Sequence, residues 1–262
     1  VVALSKCLTR RSQIVVLAAL QSLNRLNARV PFDKLEPLLA TPLYGSELLT
    51  ALGRSGDPAA AHVILSRVFA DPFAARALVV LHDFSEHAAA AVEGAIGVSG
   101  AKVMEALTRV AASSDFADRY AAVSCLLWAR RTEHVPLLVG LAQNESLHAR
   151  ILEGLSAWGA PAIEALDSML SHAQGRMLAS VIGLLGRLLD DEGGRRRIVL
   201  FTAYLSSADI VVATASMGAL GRFGDEAIVP RLLELSAVDD PRARRAAGRA
   251  LAQIGARHPD AV

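Results

Sequence analysis

The sequence predicts an all-α fold, a right-handed α–α superhelix (an α-solenoid) of about eight helix pairs with one inserted helix, and three observations predict it. Leucines recur roughly thirty positions apart: Leu23, Leu52, Leu81, Leu126, Leu155, Leu185, Leu220 and Leu251 are separated by 29, 29, 45, 29, 30, 35 and 31 residues. Residues able to cap a helix stand eleven positions before most of these anchors, as Asp115, Asn144, Asp209 and Asp240 do, and Gly56, Gly159, Gly224 and Gly255 stand four positions after. The chain is 53% apolar but only 5% aromatic, so its interior must be built from Ala, Leu, Val and Ile, which suits closely packed helices. A helix pair cannot bury its own apolar faces, so units repeating at this period must stack.

Taken in order, Val1 to Arg29 reads as one long helix or as the remnant of a truncated pair. Each later anchor marks a second helix, started by Ser12, Thr41, Ala70 (with Asp71 behind it), Asp115, Asn144, Gln174, Asp209 or Asp240. Prolines punctuate the first helices in Leu35–Leu39, Val135–Leu138 and Val229–Leu233, where they either open or bend the helix. The 45-residue gap before Leu126 holds Glu86 to Val98, Gly100 and Ala101 to Ala112, an extra helix that marks a sub-arc boundary near 86–100. The insert Asp190 to Arg197 accounts for the long spacing before Leu220. The unit is written most plainly from Ser206 to Gly255, where Ile228, Leu232 and Leu235 share the face of an intervening helix. The expectation is one array over 1–262, and a start at Val1 rather than Met reads as a piece of a longer chain.

The segments Ala219-Leu-Gly-Arg-Phe-Gly-Asp225 and Asp240-Pro-Arg-Ala-Arg-Arg-Ala-Ala247 resemble HEAT repeats, most of all the short bacterial, phycobilisome-lyase-like kind. The resemblance is specific over Ser206 to Gly255, fair from Asp115 to Leu189 and weak before Leu81. It implies a HEAT-like solenoid whose second helices line a concave surface. It also implies a ladder in which an arginine early in the second helix pairs with a neighbour's turn aspartate. Only Arg119 and Arg244 stand at that position, seven residues before an anchor, so apolar packing is expected to hold most of the stack.

Composition limits the rest. A net charge of +1 gives no reason to expect nucleic acid or an acidic membrane as partner, and no segment has the roughly 18 to 20 continuous apolar residues of a membrane span. The expected setting is cytoplasmic, and 24 arginines against Lys6, Lys34 and Lys102 suggest a GC-rich bacterial source. Cys7 and Cys125 lie in apolar helical pattern and read as buried thiols.

The chain reads as no enzyme. Gly94, Gly97, Gly100 and Lys102 have the look of a phosphate-binding loop, but no Gly-Lys-Ser/Thr follows and no strand precedes. There is no Gly-x-Ser-x-Gly elbow. The histidines His62, His82, His87, His134, His148, His172 and His258 form no i, i+4 pair, and Glu86-His87 and Glu133-His134 reverse the His-Glu order of HEAT-based metal hydroxylases; no metal and no cofactor are expected. Asp190, Asp191 and Glu192 read as a solvated acidic turn.

What remains is binding. Positions nine, six and two before each anchor and two after it are expected to face solvent: Tyr120, Ser124 and Trp128 in the fourth pair, Ser146, Ala149, Glu153 and Ala157 in the fifth, Arg176, Ala179, Gly183 and Arg187 in the sixth, Val211, Thr214, Gly218 and Arg222 in the seventh, and Arg242, Arg245, Arg249 and Gln253 in the last. This describes a groove with small residues on its floor, an aromatic pair at one end and arginines toward the other. The expected partner is a protein or peptide of acidic character, and the expected role that of a non-enzymatic scaffold or adaptor. One alternative is a nucleic-acid binder resembling HEAT-like DNA-repair glycosylases; residues 132–262, with 13 basic and 15 acidic side chains, argue against it. A second, bilin-lyase-like chromophore handling, follows from family resemblance alone. Leu220→Ala is expected to cost roughly 2 to 5 kcal/mol, and Arg222→Ala to stay within about 0.5.

Overall fold

A computed structural model describes residues 1–67, 80, 90–98 and 101–258, with the side chains of 66, 67, 102 and 103 excepted. The anchor Leu81, the starters Ala70 and Asp71, His82, His87, Gly100 and the Lys102 side chain lie outside the described residues. Every regular element described is helical, and no described helix is long and apolar enough to cross a membrane. Contacts divide the chain into two units, Val1–Arg131 and Thr132–Val262.

The first unit contains α1 (Val2–Cys7), α2 (Gln13–Arg25), α3 (Phe32–Leu35), α4 (Gly45–Ser55), α5 (Pro58–Arg67), α6 (described over residues 90–97), α7 (Ala101–Ala111) and α8 (Phe116–Ala129). The stretch 1–29 is thus two helices, and α2 ends where Asn27 turns left-handed. Thr41 does not start α4: it lies between the 3-10 turns Glu36–Ala40 and Pro42–Tyr44, the second of which intervenes, and each turn has a proline at its first or second position. The described part of the expected extra helix, 90–97, is helical and holds Gly94 and Gly97, so these glycines form no loop.

The second unit is an α-solenoid of four antiparallel pairs. A 3-10 turn, Thr132–His134, leads into α9 (Val135–Leu141), paired with α10 (Glu145–Trp158); α11 (Ala160–Met169) pairs with α12 (Gly175–Leu188). The third pair has a divided first member, α13 (Asp191–Arg196) and α14 (Ile198–Tyr204), before α15 (Ile210–Phe223). The turn Glu226–Ile228 and α16 (Val229–Ser236) precede α17 (Pro241–Arg257). Pro136 and Pro230 sit in the first turn, where a missing N–H costs nothing, so they open these helices rather than bend them.

Seven of the eight anchors are described and all are buried, six of them fully; Leu251 retains 8% exposure. Asp115, Asn144, Asp209 and Asp240 cap as expected, accepting from backbone N–H groups at 2.7–3.0 Å. Ser12 and Gln174 make no capping bond. Gly56 and Gly159 terminate helices at φ 73° and 68°, whereas Gly224 is extended and Gly255 lies inside α17.

A second register runs beside the anchors. The glycine just after an anchor presses on the residue just before the next one. A Cβ on Gly53 would meet Val80 Cγ1 at 2.5 Å, one on Gly186 would meet Ala219 Cβ at 3.1 Å, and one on Gly221 would meet the Ala250 Cα at 2.9 Å. Small residues at these crossings let α12, α15 and α17 lie side by side, with α15 in the middle.

Arginines tie successive repeats. Arg197 forms a two-point ion pair with Asp167, its Nε donating at 3.0 Å, and this bond raises the guanidinium pKa above its usual value. Arg54 donates to the Asn24 carbonyl, Arg222 to the Gly186 and Arg187 carbonyls at 3.2 and 2.9 Å, and Arg257 to those of Arg222 and Gly224. Cations at helix C-termini satisfy carbonyls left without intrahelical donors and oppose the dipole. The expected ladder is therefore realised differently: among the described residues neither Arg119 nor Arg244 forms an ion pair with a turn aspartate.

Candidate functional site

The second unit carries a groove whose floor is α15 and whose rims are α12 and α17. It comprises two connected cavities of about 940 and 600 Å³ that share Gly183, Thr214, Ala215, Ala246 and Arg249. The first lies toward the N-terminal ends of these helices and is flanked by Arg176 on one rim and Arg242, Arg245 and Arg249 on the other. The second runs toward their C-terminal ends and adds Arg187, Arg222 and Arg257. No carboxylate lines either cavity.

The six arginines expected in the groove, Arg176, Arg187, Arg222, Arg242, Arg245 and Arg249, are therefore gathered along one surface, and all six are exposed. They differ in what they touch. Arg222 is committed to the carbonyls at the end of α12, with its guanidinium 5.0 Å from the Phe223 ring centre, so it is a joint between repeats as well as a groove residue. Its replacement should thus cost more than the 0.5 kcal/mol expected from an exposed position. Arg245 and Arg249 donate only to carbonyls of their own helix, and none of the six forms an ion pair among the described residues. Glu234, a sequence-level candidate to neutralise them, is held by Arg231 at 2.5 Å. Asp240 spends its carboxylate on the N-terminus of α17, and the N–H groups of Ala243 and Arg242 hold its pKa below the usual carboxylate range.

Tyr120 and Trp128 lie half-buried on α8 in the first unit, the Tyr120 ring tilted 5.8 Å from Phe116. Ser124, expected to face solvent, is fully buried: α8 has apolar neighbours on more of its circumference than the later second helices. Ala179 is also buried, beneath the rim.

Four polar lining residues escaped the sequence reading: Gln143, His148, Ser180 and Arg257. The His148 Nδ1 lies 3.0 Å from the Ala142 carbonyl oxygen, which can only accept, so Nδ1 carries a proton; Nε2 is buried without a partner. A signal for it existed, because His148 stands seven residues before Leu155, the position of the family's ladder arginine. The described residues hold no group of three or more His, Cys, Asp or Glu able to bind a metal ion.

The floor and one rim of this groove, α15 and α17, lie in a segment with a recognisable sequence. Residues 198–262 match the model of the HEAT-repeat family. Those residues carry HEAT repeats. No curated protein matches it in sequence. Solved structures with partial likeness include an engineered protein at 19% identity, covering 96% of this chain and 77% of that one with a TM-score of 0.48. Human deoxyhypusine hydroxylase shares 17% identity over 97% of this chain and 95% of its own, with a TM-score of 0.35. The CpcE–CpcF complex of phycocyanin lyase from Nostoc sp. shares 14% over 95% and 93%, with a TM-score of 0.31. The Arg257–Gly224 joint lies within 198–262, and Arg197 immediately precedes that segment.

Proposed function

We propose that the chain is a non-enzymatic, cytoplasmic scaffold of bacterial origin whose HEAT-repeat groove receives an acidic segment of a partner protein. One observation carries this reading: exposed arginines stand on both rims of a groove that no carboxylate lines. Guanidiniums favour carboxylates in two-point contacts and are enriched at the centres of protein interfaces. The hydroxyls present, on Ser180 and Thr214, already donate to carbonyls of their own helices and supply no nucleophile–base pair. A nucleic-acid ligand is less well matched, because the unit bearing the groove has a net charge of −2 (13 basic, 15 acidic).

The test uses the full chain, a fluorescent glutamate-rich peptide and a fluorescent DNA duplex. The peptide is expected to bind, and Arg176→Gln, Arg242→Gln and Arg245→Gln together to release it while the melting temperature holds. Tighter binding of the duplex, falling about one log unit per phosphate contact per log unit of salt, would replace the acidic segment with a nucleic-acid backbone.

A further inference from the structure

We infer that the occupant of the groove is an acidic α-helix rather than an extended strand; this rests on the reading above and adds the ligand's conformation. The floor offers no backbone hydrogen bonds. α12, α15 and α17 are α-helices whose own N–H and C=O groups pair internally along their length, and the Ser180 and Thr214 hydroxyls are bonded to the Arg176 and Val211 carbonyls. An extended peptide pressed on such a floor leaves half its polar backbone without partners, whereas a helix brings its own satisfied.

The floor is shaped for a close approach. Small residues stand four apart on neighbouring helices, Ala179 and Gly183 on α12, Thr214 and Gly218 on α15. A Cβ added at Gly183 or Gly218 would meet nothing within 4 Å, so no packing within the chain requires glycine at either position. Glycine in a helix interior weakens it relative to alanine. At these two positions the missing side chains leave room for a ligand's backbone instead.

Dimensions agree. The rims α12 and α17 flank α15, so a helix about 10 Å across resting over α15 has one rim on each side. Arg176 and Arg187 stand eleven residues apart on α12, which is about 16 Å or three turns of helix. An occupant of three turns with carboxylates along both flanks meets Arg176 and Arg187 on one side and Arg242, Arg245 and Arg249 on the other. Arg176, Arg242 and Arg245 stand together at the end where α12 and α17 start, and Arg187 at the other end, so the acidic side chains of the occupant run along its whole length.

Two 16-residue alanine–glutamate peptides of identical glutamate content test this with the full chain, one uninterrupted and one with a single central alanine replaced by proline, each titrated by anisotropy with helicity followed by circular dichroism. The uninterrupted peptide is expected to gain helicity on binding and to bind about a hundredfold more tightly, the helix-interior penalty of proline expressed as an affinity ratio. Gly218→Leu, which fills open space, should weaken it at least about tenfold without lowering the melting temperature. Equal affinity of the two peptides, or unchanged affinity for Gly218→Leu, overturns the helical occupant and leaves the acidic groove intact. If neither peptide binds the folded chain, the acidic groove itself fails, and the helix with it.

Discussion

Gly183 and Gly186 stand one turn apart on α12, as Gly218 and Gly221 do on α15, yet the two members of each pair serve opposite purposes. Gly186 and Gly221 are crossing points where the next helix lies within reach of an absent methyl; Gly183 and Gly218 face open space. One face of each helix is small where successive repeats touch, and the other is small and open. Identical residues three positions apart thus stand in opposite surroundings within one helix, and substitutions can separate the two.

The largest effect should come from the core behind both faces. Leu220→Ala removes a fully buried side chain and should lower unfolding free energy by about 2–5 kcal/mol in denaturant titrations. Next, Gly221→Ala places a methyl 2.9 Å from the Ala250 backbone and should cost about 1–3 kcal/mol, whereas Gly218→Ala should gain about 0.5–1 kcal/mol from helix propensity. If both alanines shift the midpoint in the same direction, the division between packed and open faces is wrong.

Arginines sharpen the same contrast. Arg222→Ala loses two bonds to the carbonyls ending α12 and should cost about 1 kcal/mol after allowance for solvent, while Arg242→Ala should stay within about 0.5. Equal melting temperatures for the two variants would show that Arg222 is no joint. Smallest is the pH effect at Asp240. Its folded-state pKa is lowered, so the stability it gives is present above its unfolded pKa of about 4 and is lost as pH falls through the folded value. Asp240→Asn, which keeps a capping oxygen, should flatten that acid limb of the melting-temperature profile; an unchanged slope would assign it to other carboxylates.

The fold was legible because its determinants are local. A leucine every thirty residues and a capping side chain eleven before it are properties of single helices, and Leu155, Leu185 and Leu220 are all fully buried. The gathering of six arginines followed from the same register. The exceptions have one cause: they depend on what lies across from a residue rather than along the chain. Ser124 occupies a groove position but is covered in α8. Arg54, Arg222 and Arg257 look like solvated helix-end cations, and their carbonyl partners, 30 to 36 positions earlier, depend on how far a guanidinium reaches across a crossing. The Leu-Gly pairs at Leu52, Leu185 and Leu220 were visible throughout, but only the Cβ distances give them meaning.

The divided first helix of the third pair bears on how such an array can diverge. The residues that lengthen this repeat wind into α13, capped by Asp190 and seated where Gly194 lies flat against the Phe223 ring, while α12 and α15 keep their side-by-side contact. Extra chain length is thereby absorbed in a helix that lines neither cavity. The first member of a repeat can thus be lengthened while its second member keeps its place in the row, so the two halves of a repeat are free to diverge separately.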